Sequence, residues 1–308
     1  MLVVFSRRAL LSGARGAAAL SVVPSAVSAG QPLAPPSLAD VDAVDPHEVI
    51  DRYAGVRPVS WGTRLPGILG RAPVRTVVRA GRTWPVACLT FDACANPRGG
   101  AASNGFDSAL IEYLRTRRIP ATLFLSYRWA SAHPHLTATL ADDPLFEIGN
   151  HGTAHRPIAV NGRSAYGVAG TGSAAEAVRE VWQNTLYLEK VTGRRPTLFR
   201  AGTAHYDDVG VAIVRSLGLL PVGFGTNADF GATASSGTVA EQLRGMASGG
   251  ISLAHMNRPG RWNGGGRARG RSRHAGRRPR LPPGLGRAPP LTPTCPTGPR
   301  EPVPPHRT

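Results

Sequence analysis

The segment that decides the fold runs from Val86 to Asp92 and reads Val-Ala-Cys-Leu-Thr-Phe-Asp. Its short apolar run predicts a buried strand over Val86–Phe91. Asp92 therefore places a carboxylate directly after a strand. A single aspartate in this position more often caps a helix or accepts loop hydrogen bonds than takes part in catalysis, so Asp92 alone does not define a function.

The same pattern of short apolar runs recurs outward from this segment, separated by stretches with helical periodicity. Strands are predicted at Val86–Phe91, Ala121–Leu125, Leu145–Ile148, Thr197–Phe199, Pro221–Phe224 and Ile251–Ala254. Helices are predicted at Phe106–Arg118, Ala174–Val191, Asp207–Leu217 and Val239–Met246, the second capped by Thr171 or Ser173 and the third ended by Gly218. This alternation predicts an α/β fold with a parallel sheet, whose chemistry collects where the strands end.

Four further polar residues lie at or just beyond the ends of predicted strands. His151 and His155 follow Leu145–Ile148, Arg200 follows Thr197–Phe199, and His255 follows Ile251–Ala254. Two histidines four residues apart can share one face and bind zinc, cobalt or nickel. A chance histidine pair, a surface ion pair at Arg200 and a core imidazole at His255 are the alternatives for each motif alone. Their common placement at one end of one sheet favours a functional site.

The ordered motifs Thr90-Phe91-Asp92, His151-x-x-x-His155, Phe199-Arg200-x-Gly202 and Leu253-x-His255 resemble the polysaccharide deacetylases of carbohydrate esterase family four. The resemblance covers about residues 85–258. It implies a distorted (β/α) barrel of about seven strands. It also implies that the chain uses a divalent metal, with zinc expected first and cobalt or nickel as alternatives, to remove N- or O-acetyl groups from a polysaccharide.

The resemblance also implies a role for each matching residue. Asp92 corresponds to the general base, His151 and His155 to metal ligands, Arg200 to the residue that orients the base, and His255 to the general acid.

Four further residues complete the predicted site. By the same resemblance, Asp229 tunes the catalytic histidine, and Leu253 shapes the pocket for the acetate methyl group. His205 and Tyr206 belong to a predicted loop over residues 201–208, which is expected to contact a sugar.

The sequence departs from the family pattern at Ala93. The family has two adjacent aspartates here, and the second is a metal ligand, whereas this chain has Asp92-Ala93 followed by Cys94. The first expectation is a weakened site of two histidines and water. The second is ligation by Asp92, and the third is a Cys94 thiolate, which would require a shift of the strand end. The same alanine is compatible with a binding protein that has lost turnover.

Both ends of the chain differ in composition from its body. Residues 1–29 contain Arg7-Arg8, a short apolar run and Val27-Ser28-Ala29, which together predict a cleaved export signal that resembles a twin-arginine (Tat) signal. Any basic leader can hold two arginines, so another export route is the alternative. Residues 30–83 are predicted to be a Pro-rich linker with an irregular N-terminal extension, and residues 84–259 the catalytic domain.

The formal net charge of +17 is concentrated in the C-terminal tail. Residues 261–308 hold 11 arginines and one glutamate, with many prolines and glycines, which predicts disorder over 260–308. We interpret this composition as a frameshifted end, with a genuine basic tail as the alternative. A frameshift would leave the barrel incomplete at its C-terminal end.

Three classes of function are compatible with these features. The leading hypothesis is a secreted or cell-wall-associated, monomeric deacetylase of an acetylated polysaccharide such as chitin oligomers or peptidoglycan, with no stable membrane span. The second is a non-catalytic carbohydrate-binding protein on the same fold. The third is a polyanion binder that acts through its tail. The export signal and the nearly neutral body argue against the third, so no nucleic-acid partner is expected.

Overall fold

The structure is a computed structural model that describes residues 3–4, 44–72, 75–79, 82–95 and 104–259. The predicted basic tail over 260–308 lies outside the described residues. So does the predicted export signal, apart from Val3–Val4.

The strands alternate with helices along most of the chain, as the sequence predicts. They are β1 (Val3–Val4), β2 (Trp61–Gly62), β3 (Thr76–Arg79), β4 (Arg82–Cys88), β5 (Thr90–Ala93), β6 (Ala121–Leu125), β7 (Phe146–Asn150), β8 (Leu198–Phe199), β9 (Tyr206–Asp207), β10 (Leu220–Pro221), β11 (Thr226–Asn227) and β12 (Gly250–His255). The helices are α1 (Pro46–Tyr53), α2 (Ser108–Thr116), α3 (Tyr127–Ala132), α4 (Pro134–Asp142), α5 (Ala174–Thr192), α6 (Asp208–Ser216) and α7 (Ser236–Arg244).

A curved sheet of parallel strands forms the centre of the fold. Seven strands pair side by side in the order β4-β12-β5-β6-β7-β8-β10, all in parallel. The segment 220–227 begins as β10 beside β8 and ends as β11 beside β12, so the pairings turn back towards the first strands. The predicted α/β class and distorted barrel of about seven strands are confirmed.

The predicted strand Val86–Phe91 is two strands. It is interrupted at Leu89, where β12 changes its partner from β4 to β5. The hydroxyl of Thr90 donates to the carbonyl of Ser252 at this junction. The second strand continues to Ala93, two residues further than predicted, so Asp92 lies within β5 rather than after it.

All four predicted helices are present, with ends displaced by at most three residues. The longest, α5, is capped by the hydroxyl of Ser173, which accepts from the backbone N–H of Glu176, as one of the two predicted caps. It ends at Gly193, whose φ of 66° is the left-handed conformation that glycine adopts most readily. In the part of the chain that the structure describes, no helix has the length and apolar character needed to cross a membrane.

Part of the predicted linker is folded. Residues 46–53 form α1, and Val49 and Tyr53 are buried in the same apolar cluster as Val214 of α6. The Tyr53 hydroxyl hydrogen-bonds to the Ser216 hydroxyl at 3.0 Å. The prediction of an irregular extension is therefore wrong for this helix, which closes one side of the core.

Candidate metal and catalytic site

Four of the predicted site residues come together where parallel strands end. His255, the last residue of β12, is the register partner of Asp92 on β5. His151 directly follows β7, and Arg200 directly follows β8. Because these strands are parallel, their carboxyl ends meet at one edge of the sheet. The placement predicted from the sequence is the placement found.

Asp92 and Arg200 form a buried ion pair. The Arg200 guanidinium is 0% exposed, and its Nη1 donates to Asp92 Oδ1 at 2.8 Å and to Thr90 Oγ1 at 2.7 Å. Its Nη2 donates to the carbonyl of Gly223 at 3.0 Å. The guanidinium carbon also lies 4.3 Å from the centre of the Phe124 ring. Arg200 therefore fixes one oxygen of Asp92 and leaves the other facing the histidines.

His151 presents one ring nitrogen to this site. Its Nδ1 donates to the carbonyl of Arg200 at 2.8 Å, so in the neutral imidazole the lone pair resides on Nε2. That nitrogen lies 3.7 Å from Asp92 Oδ2 and 3.3 Å from Cys94 Sγ. The ring of His155 lies beside it, with ring centres 4.8 Å apart. Such an orientation, fixed through the opposite nitrogen, is typical of histidines that bind metals.

A thiol shares the space between the two imidazoles. The potential ligand atoms of Cys94, His151 and His155 all lie within 4.8 Å of one another. Burial alone would raise the pKa of the Cys94 thiol, but the imidazoles of His155 and His151 lower this pKa well below its usual value. Cys94 reaches this site from directly after β5, which ends two residues later than predicted. Two imidazoles and a thiol form a donor set that fits a divalent ion such as zinc or cobalt.

The loop that carries the two histidines is held by a buried amide. Asn150 Oδ1 accepts from the backbone N–H of Gly152 at 2.8 Å and from Asn184 Nδ2 at 2.7 Å. Its Nδ2 donates to the Val181 carbonyl and to the Thr185 hydroxyl, both at 2.8 Å. One of these hydrogen bonds lies within the loop, and the other three connect the start of the loop to α5.

A buried carboxylate holds the other end of the same loop. Glu180 accepts from the backbone N–H groups of Ala154 at 2.9 Å and Arg156 at 3.1 Å, on both sides of His155. Burial raises the pKa of Glu180, although these hydrogen bonds act in the opposite direction. Sequence reasoning did not identify Glu180 or Asn150, because neither side chain belongs to a motif of its own.

Gly202 has a steric role in the motif that contains Arg200. A Cβ atom at this position would lie 2.2 Å from the carbonyl carbon and oxygen of His155. His155 itself has a φ of 60°, in the left-handed region that non-glycine residues seldom adopt. The absence of a side chain at Gly202 therefore allows the backbone of His155 to take the position that directs its ring at His151.

His255 and Asp229 form the second charged pair of the site. Asp229 Oδ1 lies 2.9 Å from His255 Nδ1, and Oδ2 accepts from the backbone N–H of His255 at 2.7 Å. Burial of His255 lowers its pKa, but hydrogen bonds with Asp229 and Cys94 raise it, and the net pKa lies well above the usual value. The Asp229 carboxylate thus orients the imidazole and favours its protonated form.

The predicted pocket residues differ in exposure. Leu253 is 7% exposed and lies two positions before His255 on β12, so both side chains lie on the same side of the strand. His205 is partly exposed, and its ring lies 5.6 Å from that of Trp61.

The prediction for Tyr206 is wrong. This side chain is 0% exposed, and its hydroxyl accepts from the backbone N–H of Ala201 at 2.8 Å. It packs inside the protein and offers no surface to a sugar.

The fold and site define a distorted α/β barrel with a histidine-, aspartate- and arginine-lined cluster at the carboxyl edge of its sheet. The sequence pattern of the polysaccharide deacetylase family matches residues 81–222. This matched segment, slightly less than half of the chain, includes Asp92, both loop histidines and Arg200. Asp229 and His255 lie beyond the matched segment.

Several solved structures are similar to the chain at low sequence identity. A family 4 carbohydrate esterase from Streptomyces lividans in complex with acetate is 20% identical, with 56% of this chain and 79% of that chain covered and a TM-score of 0.45. A family 4 pseudoenzyme from Bacillus anthracis is 18% identical, with 56% and 54% covered and a TM-score of 0.45. Bacillus subtilis PdaA, a family 4 carbohydrate esterase, is 18% identical, with 56% and 68% covered and a TM-score of 0.44.

This chain thus spans about half of the length of the pseudoenzyme. No curated protein matches it.

Proposed function

We propose that this protein is a metal-dependent hydrolase that removes acetyl groups from an N-acetylated or O-acetylated polysaccharide, such as chitin oligomers or peptidoglycan. The observation that carries the proposal is that two pairs of charged side chains adjoin one cluster of potential metal ligands. The Asp92–Arg200 ion pair adjoins the histidine and cysteine cluster at His151, and the Asp229–His255 pair adjoins it at Cys94.

The metal is proposed to be zinc, with cobalt or nickel as substitutes, held by His151 and His155. Bound there, it would polarise the acetyl carbonyl, acidify a water molecule and help to stabilise the oxyanion. The remaining steps belong to side chains of this chain.

Asp92 is proposed to accept the proton of the attacking water. Arg200 holds Oδ1 of this carboxylate, and Oδ2 points towards the metal-binding histidines, 3.7 Å from His151 Nε2. The free oxygen is thus positioned beside the proposed metal ligands. The guanidinium also compensates the charge of a carboxylate that is only 3% exposed.

His255 is proposed to donate a proton to the leaving group. Its Nδ1 is engaged by Asp229, and hydrogen bonds with Asp229 and Cys94 raise its pKa well above the usual value, which favours the protonated imidazole. An amide nitrogen is a very poor leaving group without that proton, so this role has most effect on N-acetylated substrates. Leu253 is proposed to shape the pocket for the acetate methyl group, and the partly exposed His205 to contact a sugar.

The test is acetate release from acetylated chitin oligomers and from peptidoglycan. We expect release that is abolished by a chelator, restored by zinc or cobalt, and lost in Asp92→Asn. The metal-loaded protein failing to release acetate from every acetylated glycan offered would contradict the proposal. Export by a Tat-like signal to the cell wall or medium is proposed with it, and Arg7→Lys/Arg8→Lys should abolish this export.

A second candidate is a non-catalytic carbohydrate-binding protein, favoured by Ala93 at the position of the second family aspartate. Glycan binding that persists in chelator, without acetate release, would support this candidate instead.

A further inference from the structure

Cys94 lies beside the two loop histidines. It follows β5 directly, and its Sγ lies 3.3 Å from His151 Nε2. Asp92 Oδ2 and Cys94 Sγ lie 3.7 and 3.3 Å from His151 Nε2, so residues 92 and 94 project to the same side. Ala93 is 0% exposed and belongs to the apolar cluster that contains Leu125 and Trp129. Position 93 in this chain therefore faces the core, and position 94 faces the histidines.

Two neighbouring segments fix the backbone around Cys94. The Ser126 hydroxyl donates to the Ala93 carbonyl at 2.9 Å, and the Asn257 side-chain amide donates to the Cys94 carbonyl. Asn257 is itself 2% exposed. The thiol is thus held in place by groups outside the histidine loop, as expected for a residue built into a site.

We propose that the Cys94 thiolate is the third protein ligand of a metal centre completed by His151 and His155. The inference rests on the metal dependence of the proposed function, and it can be tested without turnover. Zinc–sulfur and zinc–nitrogen bonds of about 2.3 and 2.05 Å at a tetrahedral angle place the sulfur and nitrogen about 3.6 Å apart. The 3.3 Å between Cys94 Sγ and His151 Nε2 is close to that value.

One oxygen of the alternative carboxylate ligand, Asp92, is already engaged. Asp92 Oδ1 accepts from Arg200 at 2.8 Å, and Oδ2 lies further from His151 Nε2 than the sulfur does, 3.7 against 3.3 Å. With Cys94 as the ligand, Asp92 remains available as a base. Three protein ligands also leave a fourth position open, which is the arrangement of catalytic zinc sites.

A thiolate changes which metals the site prefers. Sulfur ligands favour zinc, cobalt and cadmium, whereas magnesium, calcium and manganese prefer oxygen. We therefore expect the centre to reject the oxygen-preferring ions and to bind cadmium as well as zinc. The Cys94→Ser variant removes the sulfur with little change of volume and should weaken zinc binding by about 100-fold or more, since even the loss of an outer hydrogen-bond partner costs 10–100-fold.

The experiment is cobalt titration of the metal-free full-length protein under a phosphine reductant, followed by absorption spectroscopy. We expect one equivalent of cobalt to produce a near-ultraviolet thiolate-to-cobalt charge-transfer band. The band should be absent in Cys94→Ser and retained in the Cys88→Ser/Cys295→Ser variant, which removes the other two of the three cysteines in the chain. Zinc-edge X-ray absorption should show one sulfur neighbour in the wild-type protein and none in Cys94→Ser.

Circular dichroism of each variant verifies folding before titration. Cobalt binding without the band, a band that persists in Cys94→Ser, or no metal binding by the folded wild-type protein would each overturn the inference. Acetate release from a protein without the band would overturn the thiolate ligand and leave the proposed function standing. A protein that shows the band but releases no acetate would overturn the proposed function and leave the thiolate ligand standing.

Discussion

Replacement of Arg200 by methionine should destabilise the protein far more than replacement of an arginine at the surface. The substitution preserves much of the aliphatic stem but removes the guanidinium that pairs with Asp92 at 2.8 Å. It also leaves the hydroxyl of Thr90 and the carbonyl of Gly223 without this donor. A carboxylate that is 3% exposed would then be buried without its cation.

The expected magnitude follows from that burial. Breaking a buried ion pair by removing one partner costs about 3–5 kcal/mol. For a domain of this size each kcal/mol lowers the melting temperature by about 2–4 °C, so we expect a decrease of roughly 6–20 °C. The free energy of unfolding is measured by urea denaturation in chelator, so that metal binding does not contribute.

Two comparisons make this prediction specific. Arg194, whose side chain is 58% exposed and lies 4.0 Å from Asp142, serves as the matched control, and Arg194→Met should cost less than about 1 kcal/mol. Adding Asp92→Asn to Arg200→Met removes the unpaired charge and should recover at least about 1 kcal/mol. An Arg200→Met variant as stable as the Arg194→Met control would refute the reasoning, and so would a double variant no more stable than Arg200→Met.

Three further predictions concern the loop, the acid and the N-terminal helix. Gly202→Ala should displace the backbone of His155, which a Cβ would approach to 2.2 Å, and should weaken cobalt binding by about 10-fold at a stability cost of about 1–3 kcal/mol; unchanged cobalt affinity would contradict this. Asp229→Asn removes the carboxylate that raises the pKa of His255. In the proposed mechanism, activity requires the protonated imidazole and is lost as pH rises through its pKa, so the alkaline limb of acetate release should move to lower pH; an unmoved limb would argue against His255 as the acid. Tyr53→Ala should lower the free energy of unfolding by about 3–5 kcal/mol and Tyr53→Phe by about 1 kcal/mol, measured in urea, whereas a helix that does not pack on the core would show neither effect.

Local signals in the sequence were sufficient to predict the parallel sheet and most of the charged centre, whereas the barrel was implied by the family resemblance. Short apolar runs followed by Asp92, His151, Arg200 and His255 identify strand ends, and parallel pairing then brings those ends together. The same kind of signal was absent for α1, whose helical residues lie in a Pro-rich stretch. Its Val49 becomes informative only when the tertiary contact with the core is known.

The supporting shell of the site could not be predicted from local patterns. Glu180 and Asn150 both accept hydrogen bonds from the backbone of the histidine loop. Glu180 is distant from this loop in sequence and Asn150 is adjacent to it, and neither side chain belongs to a motif of its own. Tyr206 shows the opposite error. An aromatic residue in a predicted loop was expected to face a sugar, yet it belongs to β9 and is 0% exposed.

The role of residue 94 depended on where one strand ends. With the strand predicted to stop at Phe91, Asp92 and Cys94 fall in a loop, where alternation gives no information about the direction of a side chain. The structure extends β5 to Ala93, and alternation then sends Asp92 and Cys94 to one face and Ala93 to the other. Residues 93 and 94 therefore lie in different surroundings, the first in the core and the second beside the histidines. In this chain residue 94 faces the histidines, and its thiol provides the proposed metal donor. Residue 93 is buried in the core and would have to leave it to reach the same position.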